Sequence, residues 1–318
     1  MNSILKEINN CNNVLLLTHE NPDGDAIGSV VAMYHMLRNL GKKVDAIVPV
    51  VPPVYSFMNA INKLATSSDK SYDLAIVLDC ASKERIGQNN GEFSRCKKSI
   101  VIDHHISNTN YGDINHIEAE SSSCCQVLYY IFRKFKVKVT KEMAEAFVVG
   151  VLTDSGGFAN DNISKKTFTM IADLYDTGID FHNIFYTALS MKSKAQYILM
   201  KKTIDRLELL DNGKIAFSYI TKDDFVSSGA RVGDHEGLVD IGRNIEGVEV
   251  SIFIREDDCY HLSLRSNGRI SVNVIAAKFG GGGHVMAAGA KIMGNFEETK
   301  AKIIEETIRE INKQWMVF

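Results

Sequence analysis

Three short apolar runs in this chain end on residues that bind cations. Residues 14–18 (VLLLT) are followed by His19, residues 74–78 (LAIVL) by Asp79, and residues 99–102 (SIVI) by Asp103, His104 and His105. A lone aspartate after a strand is most often a turn residue, because its short side chain bonds nearby backbone. Three strand ends carrying only histidine and aspartate point instead to a metal site. The loop after the first run, His19-Glu20-Asn21-Pro22-Asp23-Gly24-Asp25, adds two carboxylates, and Pro22 and Gly24 bend the backbone so that both can point where His19 points. Asp25 also reads as the N-cap of a helix starting near Ala26, and the two roles are compatible. Asp154, in Thr153-Asp154-Ser155-Gly156-Gly157, completes the set.

Counting donors decides the number of cations. One metal would leave several of these carboxylates unused and repelling one another, by ~4 kcal/mol for a pair ~4 Å apart at an effective dielectric near 20. Two divalent cations, about 3.5–4 Å apart, can share one carboxylate and clamp a phosphoryl group for attack by a bridging hydroxide. Oxygen and imidazole donors without thiolate suit Mn²⁺ best, then Co²⁺ or Mg²⁺, and suit tetrahedral structural Zn²⁺ poorly. A calcium EF-hand is excluded, since Ile27 stands where a ligand should be and Tyr34 where the bidentate glutamate should be. The DSGG at 154–157 lacks the supporting signals of a serine protease, and neither G-x-S-x-G nor a P-loop occurs.

The elements that must position these residues read as an α/β protein. The three runs, with a fourth through residues 44–48, are continuous apolar strands separated by helical patterns, the mark of a parallel sheet covered on both faces. Helices are predicted at 26–40, closed by Gly41, and at 122–135, 141–152, 165–176 and 181–189. Residues 192–210 contain neither glycine nor proline and read as a connecting helix. Beyond it, 214–220, 248–255 and 260–265 alternate like strands, 272–279 reads as a short helix before Gly280–Gly283, and a last helix begins near Glu297. The expected organisation is a doubly wound catalytic domain over 1–190, a linker helix over 191–211 and a smaller α/β domain over 212–318.

Bulk composition narrows the substrate. Of 318 residues, 36 are basic and 39 acidic, a net charge of −3 without the broad basic surplus used to coat long DNA or RNA. A small phosphorylated substrate remains allowed. The six cysteines include no C-x-x-C pair and read as reduced core residues. The first ten residues lack a signal pattern and no apolar stretch approaches ~20 residues, so a cytoplasmic enzyme away from membranes is expected.

With these residues in hand, the chain resembles the DHH phosphoesterase superfamily over nearly its whole length. The family's HxxxDxD loop matches His19, Asp23 and Asp25, its strand-end aspartate Asp79, its name-giving triplet Asp103-His104-His105, and its fourth aspartate Asp154. The second domain resembles the DHH-associated substrate domain, with Gly280–Gly283, His284 and Ala287-Ala288-Gly289 matching its signature. The resemblance implies that His19 and Asp23 hold one metal and Asp25, His104 and Asp154 the other, with Asp79 bridging. It implies that His105 faces the phosphate and that Asp103 orients the histidines. Length and domain content resemble the NrnA-type enzymes, which degrade very short RNAs and remove the 3′-phosphate of 3′-phosphoadenosine 5′-phosphate, and the family often dimerises. The chain lacks the Ser-Arg-Lys motif of family II pyrophosphatases and the extra modules of RecJ-like exonucleases.

For substrate grip, Gly281, Gly282 and Gly283 offer N–H groups to an anionic oxygen with no Cβ in the way. His284 and Arg265 are the candidate phosphate contacts. A phosphate grip facing the metals across a cleft would admit only short oligomers. Two alternatives stand beside this reading: a phosphodiesterase specialised for linear dinucleotides (pApA or pGpG), and a nucleotide-binding regulatory module without catalysis. The intact ligand set favours an enzyme over the latter.

Overall fold

The computed structural model describes residues 2–231 and 233–315, so the outer limits expected for the two domains, residues 1 and 318, lie outside the described residues. The chain divides into two compact units, Met1–Met191 and Lys192–Phe318.

The first unit runs α1 (Asn2–Asn10), β1 (Asn13–Leu17), α2 (Gly24–Asn39), β2 (Lys43–Ile47) and β3 (Leu74–Leu78). It continues through tight helical turns at Lys83–Asn89 into α3 (Asn90–Ser94), then β4 (Ser99–Asp103), β5 (Ile114–Ile117), α4 (Cys124–Lys134), α5 (Lys141–Asp154), α6 (Lys165–Tyr175) and α7 (Phe181–Phe185). The five strands form one sheet in the order β2-β1-β3-β4-β5, every neighbouring pair parallel. Leaving β1, the chain pairs β2 on one side and β3 on the other, so the topological switch point lies between β1 and β3.

Strand side chains alternate between two cores. Val14, Leu16, Ile76, Leu78, Ile100 and Ile102 join the larger one with α2, α4 and α5. Leu15, Leu17, Ala75, Val77 and Val101 join a smaller one closed by Tyr72, Ile86 and Phe93. Burial on both faces is why these strands carry no polar alternation.

Helix α2 is buried on nearly every side, because it packs against both the sheet and α5. That approach depends on glycine. A Cβ at Gly28 would meet the Ala146 carbonyl oxygen, and one at Gly150 would meet Cys125 Sγ and stand 2.5 Å from Asp25 Oδ1. The helix begins two residues before the predicted start, with Asp23 rather than Asp25 as its cap: Asp23 Oδ1 accepts from the backbone N–H of Asp25 at 3.1 Å and of Ala26 at 3.0 Å. The helix predicted at 181–189 is regular only to Phe185 and continues as a wider π turn over Tyr186–Ser190.

The second unit opens with α8 (Lys194–Asp205), which the sequence suggested as a connector. It packs within this unit: Leu199 is buried against Ile220, Leu238, Val239 and Phe253. There follow β6 (Glu208–Leu210), β7 (Ile215–Ile220), α9 (Lys222–Ser227), α10 (Leu238–Arg243), β8 (Val250–Glu256), β9 (Tyr260–Ser266), α11 (Val272–Lys278), β10 (Gly282–Gly283), β11 (Ala287–Ile292) and α12 (Phe296–Trp315). Their sheet has the order β10-β11-β9-β8-β7-β6, mixed because only β7 and β8 pair in parallel. Among the described residues, no helix is long and apolar enough to cross a membrane.

Candidate metal centre

The carboxyl ends of β1, β3 and β4 deliver His19, Asp79 and the Asp103-His104-His105 turn to the switch point. Helix α2 brings Asp23 and Asp25 at its start, and α5, packed against it, brings Asp154 at its last residue. The side chains gather into overlapping groups whose ligand atoms lie within 4.8 Å of one another: His19, Asp23 and Asp79; Asp25, His104 and Asp154; and Asp79, Asp103, His104 and His105. Asp79 belongs to two of the three. His104 Nε2 stands 3.6 Å from Asp79 Oδ1, 3.6 Å from Asp154 Oδ2 and 3.9 Å from Asp25 Oδ2, while His19 Nε2 stands 3.8 Å from Asp79 Oδ2. These gaps are too long for hydrogen bonds. They match donors facing one cation, which at bond lengths near 2.1 Å holds its ligands roughly 3–4 Å apart.

The electrostatics say the same. Burial, then the neighbouring carboxylates, push Asp79 well above the ordinary carboxylate range. Burial outweighs the pull of His104 in raising Asp25, and raises Asp154 to about 7. His104 is raised because Asp154, Asp25 and Asp103 overcome its burial, whereas burial holds His19 down to about 4. Asp79 Oδ1 and His19 Nδ1 are buried with no hydrogen-bond partner, an arrangement that native interiors avoid unless another ligand satisfies it. The donor set therefore fits divalent cations. Cys124 and Cys125 lie beside it, but burial pushes both thiols well above their ordinary value, which keeps them protonated and leaves oxygen and imidazole as the donors.

Several side chains do a second job. The Asp25 carboxylate accepts from the first N–H groups of α4, Cys124 at 2.6 Å and Cys125 at 2.9 Å, so it also anchors a helix N-terminus. Asp103 Oδ1 lies 2.7 Å from His105 Nδ1 and accepts the backbone N–H of His104. Burial raises its carboxyl, but these contacts with His105 and Asn108 hold it below the ordinary range. Asp103 Oδ1 accepts the backbone N–H of both histidines but contacts only the His105 ring, whereas His104 Nδ1 is 3.2 Å from the Ser121 carbonyl oxygen, in the turn before α4. Asn162, which carried no signal in the sequence, donates from Nδ2 to the Ser122 carbonyl at 3.0 Å and to Asp154 Oδ2 at 3.4 Å.

A stability prediction follows with a definite sign. Asp25, Asp79 and Asp154 titrate higher in the folded chain than in the unfolded one, where carboxyls titrate near ~4. Their contribution is full below that value and is lost as pH rises through the folded values, to about 7 for Asp154. His104 acts in the same direction, while His19 and Asp103 oppose it. The metal-free protein should therefore lose thermal stability between about pH 5 and pH 8. Mn²⁺, which competes with those protons, should raise Tm more at pH 8 than at pH 5. Thermal melts in chelator and in Mn²⁺ check this; equal Mn²⁺ shifts at both pH values would contradict it.

In the second unit, the expected substrate residues are placed less simply. Arg265 lies on β9, half-buried, with Nη1 donating to the Leu264 carbonyl at 3.1 Å and Nε 3.9 Å from Asp240 Oδ1; Arg243 Nε shares that oxygen at 3.0 Å. Burial lowers the Arg265 guanidinium, and nearby Asp240 offsets this only in part. Gly281 and Gly283 press on the next strand, where a Cβ would strike the carbonyl oxygens of Gly289 and Ala287. Backbone packing thus accounts for these two glycines, whereas Gly282 is exposed with room above it. The backbone N–H of His284 donates to the Ala287 carbonyl at 2.7 Å, and its residue is exposed.

Residues 13–151 match the family profile described as DHH family, N-terminal domain, and residues 212–313 match the DHHA1 domain. The chain is similar to the bifunctional oligoribonuclease and PAP phosphatase NrnA of Thermus thermophilus, 29% identical over 94% of this chain and 90% of that one. It is also similar to the protein of the same name from Bacillus subtilis, 27% identical over 91% and 92%. A solved exopolyphosphatase-related protein from Bacteroides fragilis superposes with a TM-score of 0.90 at 28% identity, covering 97% of this chain and 95% of that one.

Proposed function

We propose, from the premise that the chain belongs to the DHH family, that it is a metal-dependent phosphoesterase that hydrolyses short oligoribonucleotides to mononucleotides and removes the 3′-phosphate of 3′-phosphoadenosine 5′-phosphate. The observation that carries this is that Asp79 stands in one ligand group with His19 and Asp23 and in another with His104, which itself belongs to the group of Asp25 and Asp154. The names of the similar NrnA proteins support the substrates.

In this reading His19 and Asp23 would hold one cation and Asp25, His104 and Asp154 the other, with Asp79 serving both; Mn²⁺ is the cation we favour. Two bound divalent cations supply Lewis-acid polarisation of the phosphoryl group and activation of water. The chain does the rest. Asp103 holds His105 by Nδ1 and turns its Nε2 away from itself, so that Nε2 is the ring atom that would meet a phosphoryl or leaving-group oxygen. The Ser121 carbonyl engages His104 Nδ1 and leaves Nε2 toward the carboxylates. Asn162 steadies Asp154. Arg265, Gly281, Gly282, Gly283 and His284 are the proposed substrate contacts of the second unit, Gly282 and His284 through exposed groups. Six free cysteines accord with a reducing compartment such as the cytoplasm.

A side-by-side Mn²⁺ assay on 3′-phosphoadenosine 5′-phosphate, a diadenylate, a five-nucleotide RNA, a twenty-nucleotide RNA and pyrophosphate tests the proposal. The expected result is turnover of the first three, with kcat/KM on the diadenylate at least about tenfold above the twenty-nucleotide RNA, a difference of about 1.4 kcal/mol in transition-state stabilisation. Equal kcat/KM on both lengths, or hydrolysis of pyrophosphate alone, would overturn it.

A further inference from the structure

Of the candidate ligands, Asp79 alone has a left-handed backbone, φ +53°, a conformation uncommon outside glycine that aspartate and asparagine adopt more readily than most residues. The next peptide is held at its carbonyl. Cys80 O receives two side-chain donors, Asn108 Nδ2 at 3.2 Å and Tyr111 Oη at 3.0 Å. Asn108 Nδ2 also donates to Asp103 Oδ2 at 2.6 Å, and Asp103 Oδ1 is the partner of His105 Nδ1. Asn108 Oδ1 accepts the backbone N–H of Asn110 at 2.8 Å, so every polar atom of this amide is in use.

Resting on the phosphoesterase reading above, we propose that Asn108 is a positioning residue whose single amide sets both the Asp79 turn and the orientation of His105. The chemistry is selective. Cys80 O and Asp103 Oδ2 are both acceptors, so the bridging group needs two protons on one atom, without a positive charge that would compete with a cation nearby. A primary amide meets that need. A hydroxyl carries one proton and serves one acceptor; an aspartate carries none. Tyr111 provides an internal contrast, because its hydroxyl reaches Cys80 O alone.

The test measures Mn²⁺ dissociation constants by electron paramagnetic resonance on the full chain, and kcat and KM for a diadenylate at saturating Mn²⁺. Tyr111→Phe should weaken Mn²⁺ binding about threefold to tenfold, with kcat within threefold of wild type. Asn108→Ala should weaken Mn²⁺ binding about 10- to 100-fold, the usual range for losing a partner behind a ligand. It should also lower kcat by at least tenfold with KM within threefold. A merely structural role would lower Tm and leave both quantities unchanged in the folded fraction. Asn108→Ser, which keeps one donor, is the milder variant if Asn108→Ala does not fold, and it should lose more than threefold in Mn²⁺ affinity or in kcat. Wild-type values of both quantities in whichever variant folds would overturn the proposal. If the wild-type protein shows no Mn²⁺-dependent turnover, the phosphoesterase reading fails instead, and the Mn²⁺ affinities still report on Asn108.

Discussion

Asp79→Asn should lower Mn²⁺-dependent turnover by at least about 10³-fold, equivalent to about 4 kcal/mol of transition-state stabilisation. The size follows from its place in two of the three ligand groups: it stands with His19 and Asp23 in one and with His104 in another. Folding should survive. Asparagine tolerates the left-handed backbone that residue 79 adopts, and the amide takes one charge out of a group of carboxylates that raise one another's pKa. The metal-free Tm should therefore equal or exceed that of the wild type, while the rise in Tm on adding Mn²⁺ shrinks sharply. Melts and turnover on the same preparation decide the matter. A variant with turnover within tenfold of wild type would remove Asp79 from the bridging role.

Gly150→Ala is expected to damage stability and the site together. The added methyl group would enter a space already filled by Cys125 Sγ and would lie 2.5 Å from Asp25 Oδ1. Overpacking of this kind costs about 1–3 kcal/mol, read as a lower urea midpoint at unchanged m. Relief by moving Asp25 would pull its carboxylate from the N–H groups of Cys124 and Cys125 and away from His104 and Asp154. Mn²⁺ affinity and turnover should fall by an order of magnitude or more in the fraction that folds. An unchanged midpoint with normal Mn²⁺ affinity would show that α2 and α5 separate at little cost.

Much of the first unit was legible in the amino-acid order because its strands are buried on both faces and its ligands follow strand ends. The runs at 14–18, 74–78 and 99–102 fall on β1, β3 and β4, and the residues after them meet at the switch point. Less was legible at edges. Strand β5 reads Ile-Asn-His-Ile and is only half-buried, so it lacks the continuous apolar signature of its neighbours. Strands β10 and β11 are built from glycine and alanine, which carry little strand propensity by themselves. The glycines of 280–283 show the limit of reasoning from residue type: the expected approach is to an anionic oxygen, whereas the group lying against Gly281 and Gly283 is strand β11.

By itself the sequence determined which groups this protein has for chemistry. Two aspartates and three histidines at strand ends, two carboxylates in the first loop and Asp154 make a donor set without thiolate, and like charges so placed call for cations. Only the tertiary structure decided what each group does besides. It made Asp23 rather than Asp25 the cap of α2, put Asp25 on the N-terminus of α4, engaged His104 through Ser121, and joined the Cys80 carbonyl to Asp103 through Asn108. The reason is physical: donor type is a property of a side chain, whereas a hydrogen bond requires two atoms within about 3 Å, and Asp25 meets Cys124 across 99 positions of chain that no local pattern spans.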